Sequence, residues 1–123
     1  MSNVTVTLLT TENSYDYTGT QAPSDAYYGF TDGLHTVSVD IASFTGRIFI
    51  EGSLATTPTS TDWFIISLDP INNYLEYSNQ TTIEGFTFMG NFMYIRARVQ
   101  RSHLSGPPAL NTLGHVNKIL LNV

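Results

Sequence analysis

The chain contains no cysteine. Disulfides cannot brace it, and no thiolate is available as a metal ligand or a nucleophile. Charge is also scarce. Charged residues fill 12% of the 123 positions, about half the usual share. Ion-pair networks of the thermophile kind are therefore ruled out, and the polar surface has to come from Thr, Ser and Asn. Such a surface repels its neighbours weakly, which favours packing against other protein. Basic residues are rarest of all: Arg47, Arg96, Arg98, Arg101 and Lys118 are the full set, and none precedes position 47. With a net charge of −5, no clustered cationic face can displace counterions from phosphates, so no nucleic acid is expected as a partner. No run approaches the roughly 20 apolar residues of a membrane helix, so no membrane is expected either. The start, Met1-Ser2-Asn3-Val4-Thr5, lacks a basic n-region and an apolar h-region, and the expectation is a chain made in the cytoplasm.

A helical stripe is missing as well; the best window, 108–113, has room for one turn. The period present is two. Val4, Val6 and Leu8 alternate with Thr5 and Thr7; Val37, Val39 and Ile41 with Ser38 and Asp40; Ile48 and Ile50 with Phe49 and Glu51. Met93, Ile95, Ala97 and Val99 oppose Phe92, Tyr94, Arg96 and Arg98, and 116–123 closes the series. The continuous run Trp63 to Leu68, stopped by Asp69-Pro70, predicts a strand near the centre of a sheet. Residues 74–77 and 83–88 predict two more. Turn formers separate these segments at Thr31-Asp32-Gly33, Thr45-Gly46, Ser78-Asn79-Gln80 and Gly90-Asn91. Segments about ten residues apart with turns between them predict an all-β fold, a two-sheet antiparallel β-sandwich, jelly-roll-like. The length is that of a single domain, 1–123. Within it, 10–34 reads as a long loop or arm with a short strand around Tyr27 to Phe30.

Catalytic patterns are not found. His35, His103 and His115 are far apart and fit no metal-binding spacing. There is no G-x-S-x-G elbow, P-loop or dinucleotide fingerprint. Glu51 and Glu84 are the carboxylates a hydrolase would have to bring together, and nothing around them sets them apart. Residues 69–73 carry oxygen ligands without the order of an EF-hand loop, and read as a turn. No enzyme, cofactor or metal is expected.

Aromatics are abundant: seven Tyr, seven Phe and one Trp. Trp63 and Phe64 read as core. Tyr15, Tyr17, Tyr27 and Tyr28 fall in the aperiodic acidic stretch, where they either cap an open end of the fold or form a contact surface for protein or glycan. The acids Glu12, Asp16, Asp25, Asp32 and Asp40 have no basic partner nearby in sequence, which leaves a solvated edge or a surface for a basic neighbour. Arg96 and Arg98 share a strand face, with Arg47 on a neighbouring strand. They form either a basic stripe for an acidic partner surface or cross-strand pairs with Glu51, Glu76 or Glu84. Tyr15, Tyr17, Tyr27, Tyr28, Arg47, Arg96 and Arg98 are thus the candidate interface residues.

The ordered set Gly46-Arg47-Ile48-Phe49-Ile50-Glu51-Gly52-Ser53-Leu54, Asp62-Trp63-Phe64-Ile65-Ile66, Gly90-Asn91-Phe92-Met93-Tyr94-Ile95-Arg96-Ala97-Arg98-Val99 and Gly114-His115-Val116-Asn117-Lys118-Ile119 resembles a β-sandwich module of structural proteins in tailed bacteriophages, particularly marine and cyanobacterial phages. The match covers about residues 46–123. The resemblance implies a virion component without enzyme activity or cofactor, with other virion proteins as partners. The low charge and the free sheet edges expected of such strands agree with a homo-oligomer. A carbohydrate- or receptor-binding sandwich is the alternative.

Overall fold

The computed structural model describes residues 4–12, 16–101, 104 and 112–123. The protein is all-β and antiparallel, with one α-helical turn among the described residues. The elements are β1 Thr5–Glu12, β2 Asp16–Thr18, β3 Ala22–Pro23, α1 Asp25–Tyr28, β4 Leu34–Ser53, β5 Phe64–Ile66, β6 Leu75–Met89, β7 Tyr94–Gln100 and β8 His115–Asn122. All eight strands hydrogen-bond into one sheet of order β1-β8-β4-β7-β2, with β3 on β7 and with β5 and β6 on β4.

β4 organises the sheet. The sequence reading places a turn at Thr45-Gly46 between two strands. The backbone instead runs on as one strand with a corner, made by positive φ at Ser43 (50°) and Gly46 (149°). A Cβ at Gly46 would lie 2.8 Å from the Arg101 side chain and 3.1 Å from the Phe44 ring, so the corner is closed to larger residues. Before the corner, β4 lies between β6 and β8 (Val39 opposite Glu84 and Ile119); after it, β7 lies along one edge (Ile50 opposite Ala97), and β6 as far as Ile48 and then β5 lie along the other. The sheet therefore curls onto itself. On the far side the Gly19 N–H donates to Ala97 O at 2.8 Å.

The alternating residues fill the space inside. Val37, Val39, Ile41, Ile48, Ile50, Ile95, Ala97, Val99, Ile119 and Leu121 are closed to solvent; each larger one contributes about 1.5–3 kcal/mol of burial. The phase expected for the last strand changes part-way. The β4–β8 register shifts between Asp40 and Ile41, and this irregularity turns Val116, Ile119 and Leu121 all inward. β8 is paired on both edges, by β1 and β4, within the chain.

Several sequence readings need correction. The Trp63–Leu68 run forms only the short β5, which pairs with β4 alone and is not central. Phe64 is 43% exposed and Trp63 half-buried, so neither is core. The segments read at 74–77 and 83–88 belong, from Leu75 on, to one strand, β6, bent at Asn79 (φ 46°). In the supposed arm, β1 runs on to Glu12 and is followed by β2 and β3. Tyr27 and Tyr28 lie on α1 instead of a strand. The helical window 108–113 lies mostly outside the described residues. The turn at Asp69 is as read: its Oδ1 accepts the N–H groups of Ile71 (2.8 Å) and Asn72 (2.9 Å).

Candidate interaction surfaces

Three arrangements of chemistry-bearing side chains emerge. The first is on the outer face of the second half of β4. Phe49 pairs with Arg98 and Glu51 with Arg96 across β4 and β7, while Arg47 pairs with Glu76 across β4 and β6. Pleating puts directly opposed side chains on one face. The Glu51 carboxylate accepts Nε–H of Arg96 at 2.8 Å and of Arg98 at 3.2 Å, and Glu76 accepts Nε–H of Arg47 at 3.0 Å. Each guanidinium also covers a ring at 4.1–4.2 Å: Arg47 on Tyr74, Arg96 on Trp63, Arg98 on Phe49. The cross-strand pairing weighed in the sequence is what the geometry shows for all three arginines, so an acidic partner would have to compete with Glu51 and Glu76. Glu51 is largely buried and tied to arginines, and Glu84 stands on β6. Glu51→Ala is expected to cost about 1–3 kcal/mol, because two half-buried guanidinium groups lose their acceptor; chemical denaturation checks it. Charge reversal at Arg96 and Arg98 that abolished self-association at an unchanged melting temperature would instead assign these arginines to a partner.

The second arrangement is a surface patch of rings. Tyr27 packs edge-on against Tyr28 (centroids 5.3 Å apart) and tilted against Tyr94 (5.8 Å), and Tyr28 stacks on Phe30 (5.4 Å). Tyr27 and Tyr28 are both exposed, Tyr27 at 53%. Tyr17 is exposed too, but stands elsewhere: it pairs with Val99, whereas Tyr94 begins the same strand, a separation of roughly 17 Å at the usual strand rise. Two shallow clefts adjoin Tyr17, one of about 200 Å³ toward Thr7–Thr10 and one of about 240 Å³ beside Arg98 and Gln100. Tyr15 lies outside the described residues.

The third lies beneath the ring patch and is closed to solvent. Ser24, Asp25 and His35 have no exposed surface. Asp25 Oδ1 accepts Phe92 N–H (2.8 Å) and Ser24 Oγ–H (3.2 Å), and its Oδ2 accepts the Asn91 amide. His35 Nδ1 meets Gly33 O at 2.9 Å, while Nε2 lies 3.0 Å from Ser24 Oγ and 3.1 Å from Asp25 Oδ1. Burial raises the Asp25 pKa, but the Phe92 N–H, the Asn91 amide, the charge of His35 and the Ser24 hydroxyl together outweigh it and hold the carboxyl below its usual value. The residue types are those of a nucleophile triad, yet Ser24 and Asp25 share one ring nitrogen and all three side chains are closed to solvent. A triad needs them on opposite nitrogens. The network is a clamp that fastens α1 and its tyrosines to β4 and to the segment before β7.

Other acids of the first half are likewise engaged: Asp16 Oδ1 accepts the Arg101 N–H and Asp40 Oδ1 the Asn117 amide. A cleft of about 230 Å³ at the bend of β6 is lined by Asp69, Glu76, Glu84, Gln80, Tyr77 and apolar neighbours. Burial first, and Glu84 second, push the Tyr77 hydroxyl far above its usual pKa. Among the described residues no three His, Asp or Glu groups stand close enough to hold a metal ion; His115 is half-buried at the start of β8, and His103 lies outside them. No family model, curated protein or solved structure matches this chain.

The clamp escaped the sequence reading. One signal was present: His35 shares the phase of Val37, Val39 and Ile41, which puts it on the buried face of β4. Asp25 had no such signal, because its partners Asn91 and Phe92 are more than sixty residues away.

Proposed function

We propose that this chain is a non-enzymatic structural component of a tailed-bacteriophage particle, made in the host cytoplasm and built in by protein–protein contact. In this reading the curled sheet serves as a two-layered, jelly-roll-like sandwich whose layers meet at the corner of β4. The observation that carries the reading is the edge of β6. This strand pairs with β4 alone among the described residues, and it exposes Ile83 (69%) and Met89 (71%). Free backbone groups beside exposed apolar side chains favour strand addition from another protein. The ordered motifs between 46 and 119 supply the phage assignment. A neck, tail or baseplate position is the first choice and a head decoration or cement position the alternative.

A second reading, a glycan- or receptor-binding module, draws on Tyr27, Tyr28, Phe30 and Tyr94, whose rings offer apolar area with hydroxyls at low entropic cost. Quantitative mass spectrometry of a purified particle whose genome encodes the chain tests the first reading; the expected result is several copies per particle. Absence from the particle, with glycan binding lost in Tyr27→Ala, would replace it by the second.

A further inference from the structure

Resting on that assembly reading and naming its partner, we propose that β6 pairs edge to edge with β6 of a second copy, antiparallel, with Gly85 at the two-fold axis. Edge strands in soluble proteins are usually guarded by Lys, Pro, a bulge or a covering loop. Residues 75–89 contain no Lys, Arg or Pro, and the one charge within 81–89 is Glu84, which is half-buried.

Gly85 supplies a second, independent observation. It sits mid-strand opposite Ser38 without a positive φ, and a Cβ built there would meet nothing within 4 Å. Among the described residues nothing requires glycine at this position, although glycine weakens a strand. In an antiparallel contact centred here, a bare Cα leaves room beside it for the diagonal side chains Ile83 and Thr87 of the second copy. Leu34, which is exposed, stands opposite Met89 on β4. With Ile83 and Met89 it gives the outer face an apolar margin along this edge.

Charge selects the register. Two copies at −5 each repel at long range, so the contact has to avoid adding to that. Pairing about Gly85 puts Glu84 opposite Phe86 of the second copy and Ile83 opposite its Thr87, whereas an axis at Glu84 would set two carboxylates directly against each other. Residues 81–89 span about 30 Å at the strand rise, which suits a closed, self-complementary dimer contact of modest size. Association is therefore expected at high protein concentration and is strengthened by salt.

Because the chain has no cysteine, single-cysteine variants give a clean readout. Light scattering of the full chain is expected to show a dimer at high concentration. Ile83→Lys and Met89→Lys, both at exposed positions, are expected to raise its dissociation constant at least tenfold with the melting temperature of the dilute protein unchanged. Under mild oxidation Gly85→Cys is expected to form a covalent dimer, since directly opposed strand positions come close to disulfide distance. Leu54→Cys, exposed elsewhere, is expected not to. Self-association that persists in both lysine variants, with equal cross-linking from positions 54 and 85, would overturn the β6 pairing and leave assembly by another surface standing. A wild-type chain that stays monomeric when concentrated would overturn the pairing as well, while its presence in a particle would still uphold the structural role.

Discussion

Gly114→Ala is expected to abolish the folded state. Gly114 has φ +67°, in the left-handed region that residues with a Cβ seldom adopt. A Cβ there would run into Ser43 O, Ala42 O and Ser43 C. These are backbone atoms at the corner of β4, and they cannot swing aside as a side chain could. The Ser43 N–H is held by Thr81 Oγ at 2.8 Å, and the Thr45 N–H donates to Leu113 O at 2.9 Å. Relief would require β8 to lift away from β4, breaking the Val116–Ile41 and His115–Ala42 pairs and exposing Val116. The cost should exceed about 4–5 kcal/mol, the exceptional end of single substitutions, and is comparable with the roughly 5–15 kcal/mol that holds a typical domain together. Circular dichroism and Trp63 fluorescence would show an unfolded chain under conditions where the parent is native. Gly85→Ala is the control: with no neighbour near its Cβ, dilute protein should melt no lower than the parent.

What the sequence revealed and concealed follows from the range of the forces involved. Alternation is local, and it disclosed the strands β1, β7 and β8 and both halves of β4, because burial of one pleated face imposes a period of two. The continuity of β4 and of β6 was hidden. Gly46 and Asn79 are turn formers in most contexts, but here each adopts positive φ inside a strand that neighbours hold on both sides of the bend. The Trp63–Leu68 run misled for a related reason. Its apolarity serves contacts at the margin of the core, with Trp63 under Arg96, Phe64 against the buried Phe92, and Ile66 and Leu68 packed on the core cluster, not a central position in the sheet. The arginine pairs were foreseeable as an alternative because charge opposite charge is a strand-level rule. The Tyr27–Tyr94 contact was not, since it depends on how α1 is clamped.

That clamp leads to the other large effect. Asp25→Ala is expected to cost about 3–5 kcal/mol, the range for removing one member of a buried charged network. Phe92 N–H, Ser24 Oγ–H and His35, all buried, would lose a shared acceptor, and so would the amide of the more exposed Asn91. α1 would loosen, and with it the Tyr27–Tyr28 patch. The same carboxylate gives stability a pH dependence of known sign. Its folded pKa lies below the ordinary 3.8, so the native state favours the ionised form more than the unfolded chain does. Its contribution is therefore complete above about pH 5 and is lost as pH falls through the ordinary value toward the lower folded one. Asp69 is also held low, by the N–H groups of Asn72 and Ile71, but it is present in both proteins and cancels in a comparison. Urea denaturation of the parent and of Asp25→Asn between pH 7 and pH 3 isolates the effect. The gap between the two should stay constant down to about pH 5 and narrow below it; a gap that widens in acid would mean that the clamp holds a protonated Asp25.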